Sequence, residues 1–383
     1  MGCCNICLIP FIFLYRCIVW ACFCCFYHSQ LFYSSLSEQL ESRRSIRGGW
    51  YENVQRDFIN TRDTFYILLA QYSLDVEETY EHELKFIRRL DASMTQKGQI
   101  PWGFYTHWFN GEVPIFENDG VTVVDANALF IIMICRYYTF ENRDVSTHPH
   151  RNMHALWLSA QRAWEWLNKY IEEDVFLEPI GASWAYSSVH DGNVLLTNVY
   201  ITQAARSMEI LAIYNRDTFQ QNKYRKIHQS FMARLVPEIY RTQETLPCIL
   251  AVYWNMVPNT FIISFNAQIT DAFVPTRLPG PISVRSTWSS GIKGRADQFT
   301  SVIWPWIGLF WIVVLARKNK KNEVRAWWTS YLEYHNPPTL YDMYSSKTYK
   351  PLKRAFLRAE PMHALTLAMQ IAASEASFDN SRI

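Results

Sequence analysis

From Trp50 onward, apolar residues recur three and four positions apart in block after block, the spacing that gives a helix one buried face. The pattern predicts helices over 53–72, 76–90, 123–138, 152–171, 198–214, 219–240, 301–317, 323–335 and 360–374. Short links between them predict antiparallel hairpins, and period-two runs are nearly absent, so the expected class is all-α. The helix over 123–138 is apolar on nearly every side and must be buried. Trp157, Trp164 and Trp166 sit at helical spacing and read as core. The stretch 247–285, rich in Pro and β-branched residues, is expected to be irregular or short-stranded.

The first residues break this pattern. Ile6–Phe26 is an apolar run interrupted by a single charge, Arg16, and its length suits a bilayer span of about 20 residues. Seven of the nine cysteines lie within the first 25 residues. Residues 1–33 therefore read as a cysteine-rich membrane anchor, with thioacylation (palmitate) at Cys3 and Cys4 as the matching lipid modification. Arg16 would cost about 2.5–3.5 kcal/mol at mid-span, which leaves an acylated interfacial segment as the alternative. Arg43, Arg44 and Arg47 follow the run and favour a cytoplasmic body. Residues 34–49 are polar, end in Gly48-Gly49 and read as a linker, and 50–383 form the helical domain. Only Cys135 and Cys248 remain for that domain, enough for one disulfide at most.

At 383 residues and 49% hydrophobic, the chain can bury a large core. A net charge of +2 gives no field to hold nucleic acid. No zinc spacing, glycine-rich phosphate loop, GxSxG or HExxH occurs, so no cofactor is expected. Candidate chemistry gathers in the loop before the apolar helix, which carries Trp102, Tyr105, His107, Trp108, Asn110, Glu112, Glu117, Asn118 and Asp119. Sugars pack their C–H faces on aromatic rings and need carboxylate or amide partners for their hydroxyls, so this mixture points to a carbohydrate. The alternative is structural: Thr122 caps the helix, Asp125 closes a capping box, and the aromatics fill core. Further carboxylates stand beside aromatics at helix edges, at Arg62-Asp63, Asp191 and Asp342. Glycoside hydrolysis needs two carboxyl groups on opposite faces of one ring, which such loops supply if they converge on one mouth.

The runs TRDTFYILL (61–69), GQIPWGFY (98–105), TVVDANALFIIMICRYY (122–138), VLLTNVYITQA (194–204), VIWPWIGLFW (302–311) and LYDMYSSKTYKP (340–351) resemble, in order, motifs of the six-hairpin glycosidases. The chain looks like the neutral invertases and the glycogen-debranching and trehalase-like α-glucosidases. That resemblance spans about Trp50 to Ser374 and implies an (α/α)6 toroid of about six helical hairpins. It implies that Arg62, Asp63 and Asp125 hold a terminal hexose; by their own chemistry Trp102, Trp108 and Asp119 of the aromatic loop would join that pocket, and Trp304, in Trp304-Pro305-Trp306, either lines the cleft or packs in the core. It also implies that Asp342 activates water. The proton donor of the family maps onto Tyr186 in Trp184-Ala185-Tyr186-Ser187, which is no carboxylic acid, and Asp191 is the nearby substitute. Two functions follow, an inverting hydrolase of a terminal hexoside or a catalytically inactive, membrane-anchored sugar-binding or structural protein. A terpene-cyclase-like toroid is disfavoured, because no Asp-rich metal box is present.

Overall fold

The computed structural model describes residues 36–45, 47–51, 58–73, 78–107, 111–118, 121–141, 151–179, 194–242, 244–273, 302–334, 344–345, 353–354, 357–358 and 364–378. The chain divides into two units, Met1–Ser42 and Arg43–Ile383. Within the first, the described residues form one short helix, Leu36–Glu41. The apolar run Ile6–Phe26 lies outside the described residues. Among the described residues, no helix is long and apolar enough to cross a membrane.

The second unit is a ring of helices. Its inner members are α1 (Thr61–Tyr72), α3 (Asp125–Glu141), α5 (Leu195–Tyr214), α7 (Thr245–Tyr253), α9 (Pro305–Arg317) and α11 (Ala364–Phe378). Each packs against the next, and α11 returns to α1, so the ring closes. Outside it lie α2 (Glu78–Ser93), α4 (Arg151–Leu167), α6 (Thr218–Thr242), α8 (Asn259–Phe273) and α10 (Lys321–Tyr334). Every outer helix packs on the inner helix that precedes it, giving a toroid of helical hairpins.

Sequence pattern decides which helix goes where. In α9 every residue from Pro305 to Leu315 is buried, and an all-apolar helix has no other stable place. By contrast, α6 fully buries only Tyr224, Phe231, Leu235 and Ile239, one stripe at helical spacing. Asn266 of α8 locks layers together by accepting hydrogen bonds from the indoles of Trp311 (3.1 Å) and Trp327 (2.9 Å). The inner helices α1, α3, α5 and α9 start at one end of the ring. Arg62, second in α1, meets Asp125, first in α3, while Tyr66, Tyr200 and Trp306, all from the first two turns of their helices, touch one another in sequence.

Four expectations change. The helix expected over 53–72 begins only at Thr61, because Phe58–Asn60 pairs as a strand with Gly103–Tyr105 and Asn60 caps the helix. The stretch 247–285 is helical in its first part, as α7 and α8. Pro247 falls in the first turn of α7, where a missing N–H is harmless, and burial on all sides overrides the β-branched preference. The loop over 99–122 is instead largely strand: β1 (Phe58–Asn60), β2 (Gly103–His107) and β3 (Gly111–Ile115) form an antiparallel sheet, and β4 (Glu117–Asn118) pairs with β5 (Val121–Thr122). The hairpin signal was Asn110-Gly111, with Gly111 at φ 69° opening β3. Cys135 and Cys248 are both buried and free, so they form no disulfide.

Gly48 and Gly49 are packed rather than loose. A Cβ on Gly48 would lie 2.4 Å from the Phe86 backbone nitrogen, at φ 92°. Arg89 donates to the Gly48 carbonyl (2.6 Å) and pairs with Glu112 (2.8 Å), and Tyr51 N–H donates to the Arg43 carbonyl (3.0 Å). A chain starting at Arg43 is therefore expected to melt cooperatively. One starting at Trp50 loses the Gly48–Arg89 bond and is expected to be less stable by about 1–3 kcal/mol, the cost of leaving a buried charged donor unmet, as urea unfolding would show.

Candidate functional site

The site is built where inner helices begin. Asn60 caps α1, its side chain accepting from the N–H of Arg62 (2.8 Å) and, at longer range, of Asp63 (3.4 Å). Thr61 N–H donates to the Trp102 carbonyl (2.8 Å) and its hydroxyl to the Pro101 carbonyl (2.9 Å). The segment that leads into β2 is thus fixed to the start of α1. Asn127 fixes the same segment to α3: it accepts from Ile100 N–H (2.9 Å) and donates to the carbonyls of Gly98 (2.8 Å) and Ala163 (3.1 Å). A side chain at Gly98 would collide with the Arg162 carbonyl, so glycine allows this close approach.

These anchors bring Arg62 and Asp125 together. The Arg62 Nε lies 2.8 Å from Asp125 Oδ2, and the same oxygen accepts from the neighbouring guanidinium nitrogen. Both side chains are almost fully buried. Asp125 is therefore partnered by Arg62 of the neighbouring inner helix, a role beyond capping its own helix. Beneath them, the hydroxyls of Tyr66 and Tyr200 are 2.5 Å apart, and Trp306 packs on Tyr66 with ring centroids 5.0 Å apart. Burial pushes both phenols well above the usual tyrosine range, while the nearby Arg62 opposes the shift and Asp125 adds to it. Asp63 acts on Tyr200 electrostatically, so its carboxylate belongs to the same neighbourhood. Such a floor of neutral phenols beneath a buried charge pair suits a neutral, hydroxyl-rich ligand.

Trp102 stands half-buried at the edge, its indole donating to the Glu117 carbonyl (3.2 Å) and its ring 5.0 Å from Phe58. Trp304 is the residue before α9, whose first position is Pro305, and it is partly buried. The strand Val302–Ile303 ahead of it pairs with Tyr344–Ser345. Trp108, Asp119, Tyr186, Asp191 and Asp342 lie outside the described residues.

One carboxylate escaped the sequence reading. Glu178 is 3% exposed and accepts from the Thr197 hydroxyl (2.5 Å) at the start of α5. Thr197 lies one turn ahead of Tyr200 on α5, about 4.5 Å along the axis, so Glu178 is held at the same end of that helix. No period marked it, since it lies between β6 (Val175–Phe176) and Pro179, a segment placed by Asn198 through paired bonds to Phe176 N–H (2.9 Å) and carbonyl (3.0 Å). Tyr66 was missed as well, although a signal for it existed: it stands four residues after Arg62 on one helical face.

No family model and no curated protein sequence matches the chain. Solved structures do. A glycosidase variant in complex with glucose superposes with a TM-score of 0.56 at 9% identity, covering 92% of this chain and 98% of its own. The fold is the six-hairpin toroid of glycosidases. A rhamnosidase from Klebsiella oxytoca with rhamnose bound matches at TM-score 0.56 and 10% identity, over 86% of this chain and 60% of that one. A family 15 glucoamylase from Hypocrea jecorina matches at 0.55 and 8%, over 90% and 70%. At these identities the likeness is one of fold.

Proposed function

We propose that this chain is a glycoside hydrolase that removes a terminal hexose with inversion. The observation that carries the reading is the buried Arg62–Asp125 pair above the Tyr66–Tyr200 floor, set where the inner helices of a glycosidase-type toroid begin. Neighbours of this fold hold glucose and rhamnose, and one is a glucoamylase. The hexose would seat its hydroxyls on Asp125, Asp63 and Arg62 and its apolar face on Trp102, with Trp108, Asp119 and Trp304 extending the cleft. Asp342 takes a proton from water, whose oxygen bonds to the anomeric carbon as the glycosidic bond breaks. The leaving oxygen receives a proton from the acid, and inversion needs the two carboxyl groups about 6.5–9.5 Å apart.

Two residues compete for the acid, Asp191 from the sequence and Glu178 from the structure. Hydrolysis of a glycoside panel decides between them. Asp342→Asn is expected to lower kcat by at least about 10²-fold, the span of acid–base catalysis, with glucose binding kept. Whichever of Glu178→Gln and Asp191→Asn does the same marks the acid. A chain that binds glucose but hydrolyses nothing on the panel, and gains activity only on Tyr186→Asp, fits the second reading, an inactive sugar-binding relative; Tyr186 motivates it, because a phenol with a pKa near 10 is a poor proton donor at neutral pH. Residues 1–33 are proposed to hold the body on a membrane, and their removal is expected to shift the protein from pellet to supernatant after cell fractionation.

A further inference from the structure

The end of the toroid opposite the sugar site carries a pattern that hydrolysis does not use. The turn from α5 to α6 leaves Ile213 (48%), Tyr214 (41%) and Phe219 (77%) exposed. Arg216, Lys223 and Lys226 are exposed around them. Between 213 and 226 the sole acidic residue is Asp217, already engaged with the Gln220 N–H (3.0 Å). Two inner helices further round, the turn from α9 to α10 holds Arg317, Lys318, Lys320 and Lys321, with no carboxylate among residues 317–322. Lys318 donates to Asn255 and Arg317 to the Tyr253 hydroxyl (2.8 Å), which ties this turn to the one between α7 and α8. From there α8 leads outward with Ile263 65% exposed.

We infer that this end of the toroid seats on an anionic lipid surface. Exposed aromatic and aliphatic side chains among lysines and arginines are what a bilayer interface accepts, the rings at headgroup depth and the cations on phosphate and carboxylate. Charge argues against the other occupants. The whole chain is only +2, so these cations are a local concentration and not a nucleic-acid field. A second copy pressed turn to turn, with the two-fold axis through either basic turn, would oppose like charges there. An acidic headgroup layer complements them, and the apolar run Ile6–Phe26 belongs to the same chain. Seated this way, the mouth at Arg62 and Asp125 faces water and soluble glycosides.

The test uses the full chain with vesicles of phosphatidylcholine, with and without 30% phosphatidylserine (roughly the anionic content of a cytoplasmic leaflet), and a water-soluble amine-acylating reagent read by mass spectrometry. Lys223 and Lys318 are expected to be shielded on the anionic vesicles, whereas Lys97 and Lys169, at the opposite end, label as in solution. Raising the salt should undo the shielding. Arg216→Gln and Lys223→Gln should each weaken the seated state about fivefold, the effect of one cation near an anionic surface, and Phe219→Ser should weaken it too. Equal labelling at both ends, equal shielding on neutral vesicles, or no vesicle binding by the full chain would overturn the inference. Shielding of Lys223 and Lys318 that rises with protein concentration in the absence of lipid would assign the face to a second copy and overturn it as well.

Discussion

Replacing either partner of the Arg62–Asp125 pair singly is expected to be among the most damaging changes in this protein. Arg62→Met leaves a buried carboxylate, and Asp125→Leu a buried guanidinium; each should cost about 3–5 kcal/mol in urea unfolding, because an ion stranded in the interior has lost its compensation. The double variant should recover most of that loss, since an apolar pair of similar volume has no charge to desolvate. Glucose binding should follow a different order. All three variants are expected to lose it, the restored double variant included, because the hydroxyl partners are gone. This divergence separates a ligand-holding pair from a structural one. A double variant that regains both stability and sugar binding would reduce the pair to scaffolding and withdraw the subsite from Arg62 and Asp125.

How far the sequence disclosed this site depends on range. Arg62 and Asp125 were legible because each opens a helix within a run whose order matched a known architecture. Their mutual contact was not, since 63 positions separate them and only the packing of consecutive inner helices brings α1 beside α3. Glu83 shows the same limit. It is fully buried, bonded to Arg136 and to the Tyr72 hydroxyl, and burial raises its carboxyl pKa while Arg136 opposes the shift. In the sequence it is one of several charges on an amphipathic helix. Helix positions were read well wherever the period was long. Short elements that tertiary contacts stabilise were not: β1 to β3 exist because Thr61, Trp102 and Asn127 fix their ends, and α7 because burial outweighs Pro247 and its β-branched neighbours.

Two buried titrating groups should give stability a pH dependence that single variants unmask. His82 is 3% exposed, its Nε2 accepts from Gly49 N–H (3.1 Å), and burial, helped by Arg44, lowers its pKa to about 4 from 6.5. Glu244, immediately ahead of α7, is 4% exposed, and burial raises its pKa to about 7 from 4.5, against the pull of Arg241. For His82 the unfolded chain binds the extra proton, so its contribution is whole above pH 6.5 and is lost as the pH falls toward 4. For Glu244 the folded chain binds the extra proton, so stability is lost as the pH rises from 4.5 through 7. Between pH 4.5 and 6.5 the slopes contributed by these two groups oppose each other, so each masks the other in the wild type. His82→Gln keeps an acceptor for Gly49 but cannot titrate. Relative to wild type its stability should fall with rising pH across that window, by about 1.4 kcal/mol per unit. Glu244→Gln should show the reverse slope over the same window. Urea midpoints measured at half-unit steps would test both, and difference curves that run parallel to the pH axis for either variant would mean that the group titrates alike in the folded and unfolded chain.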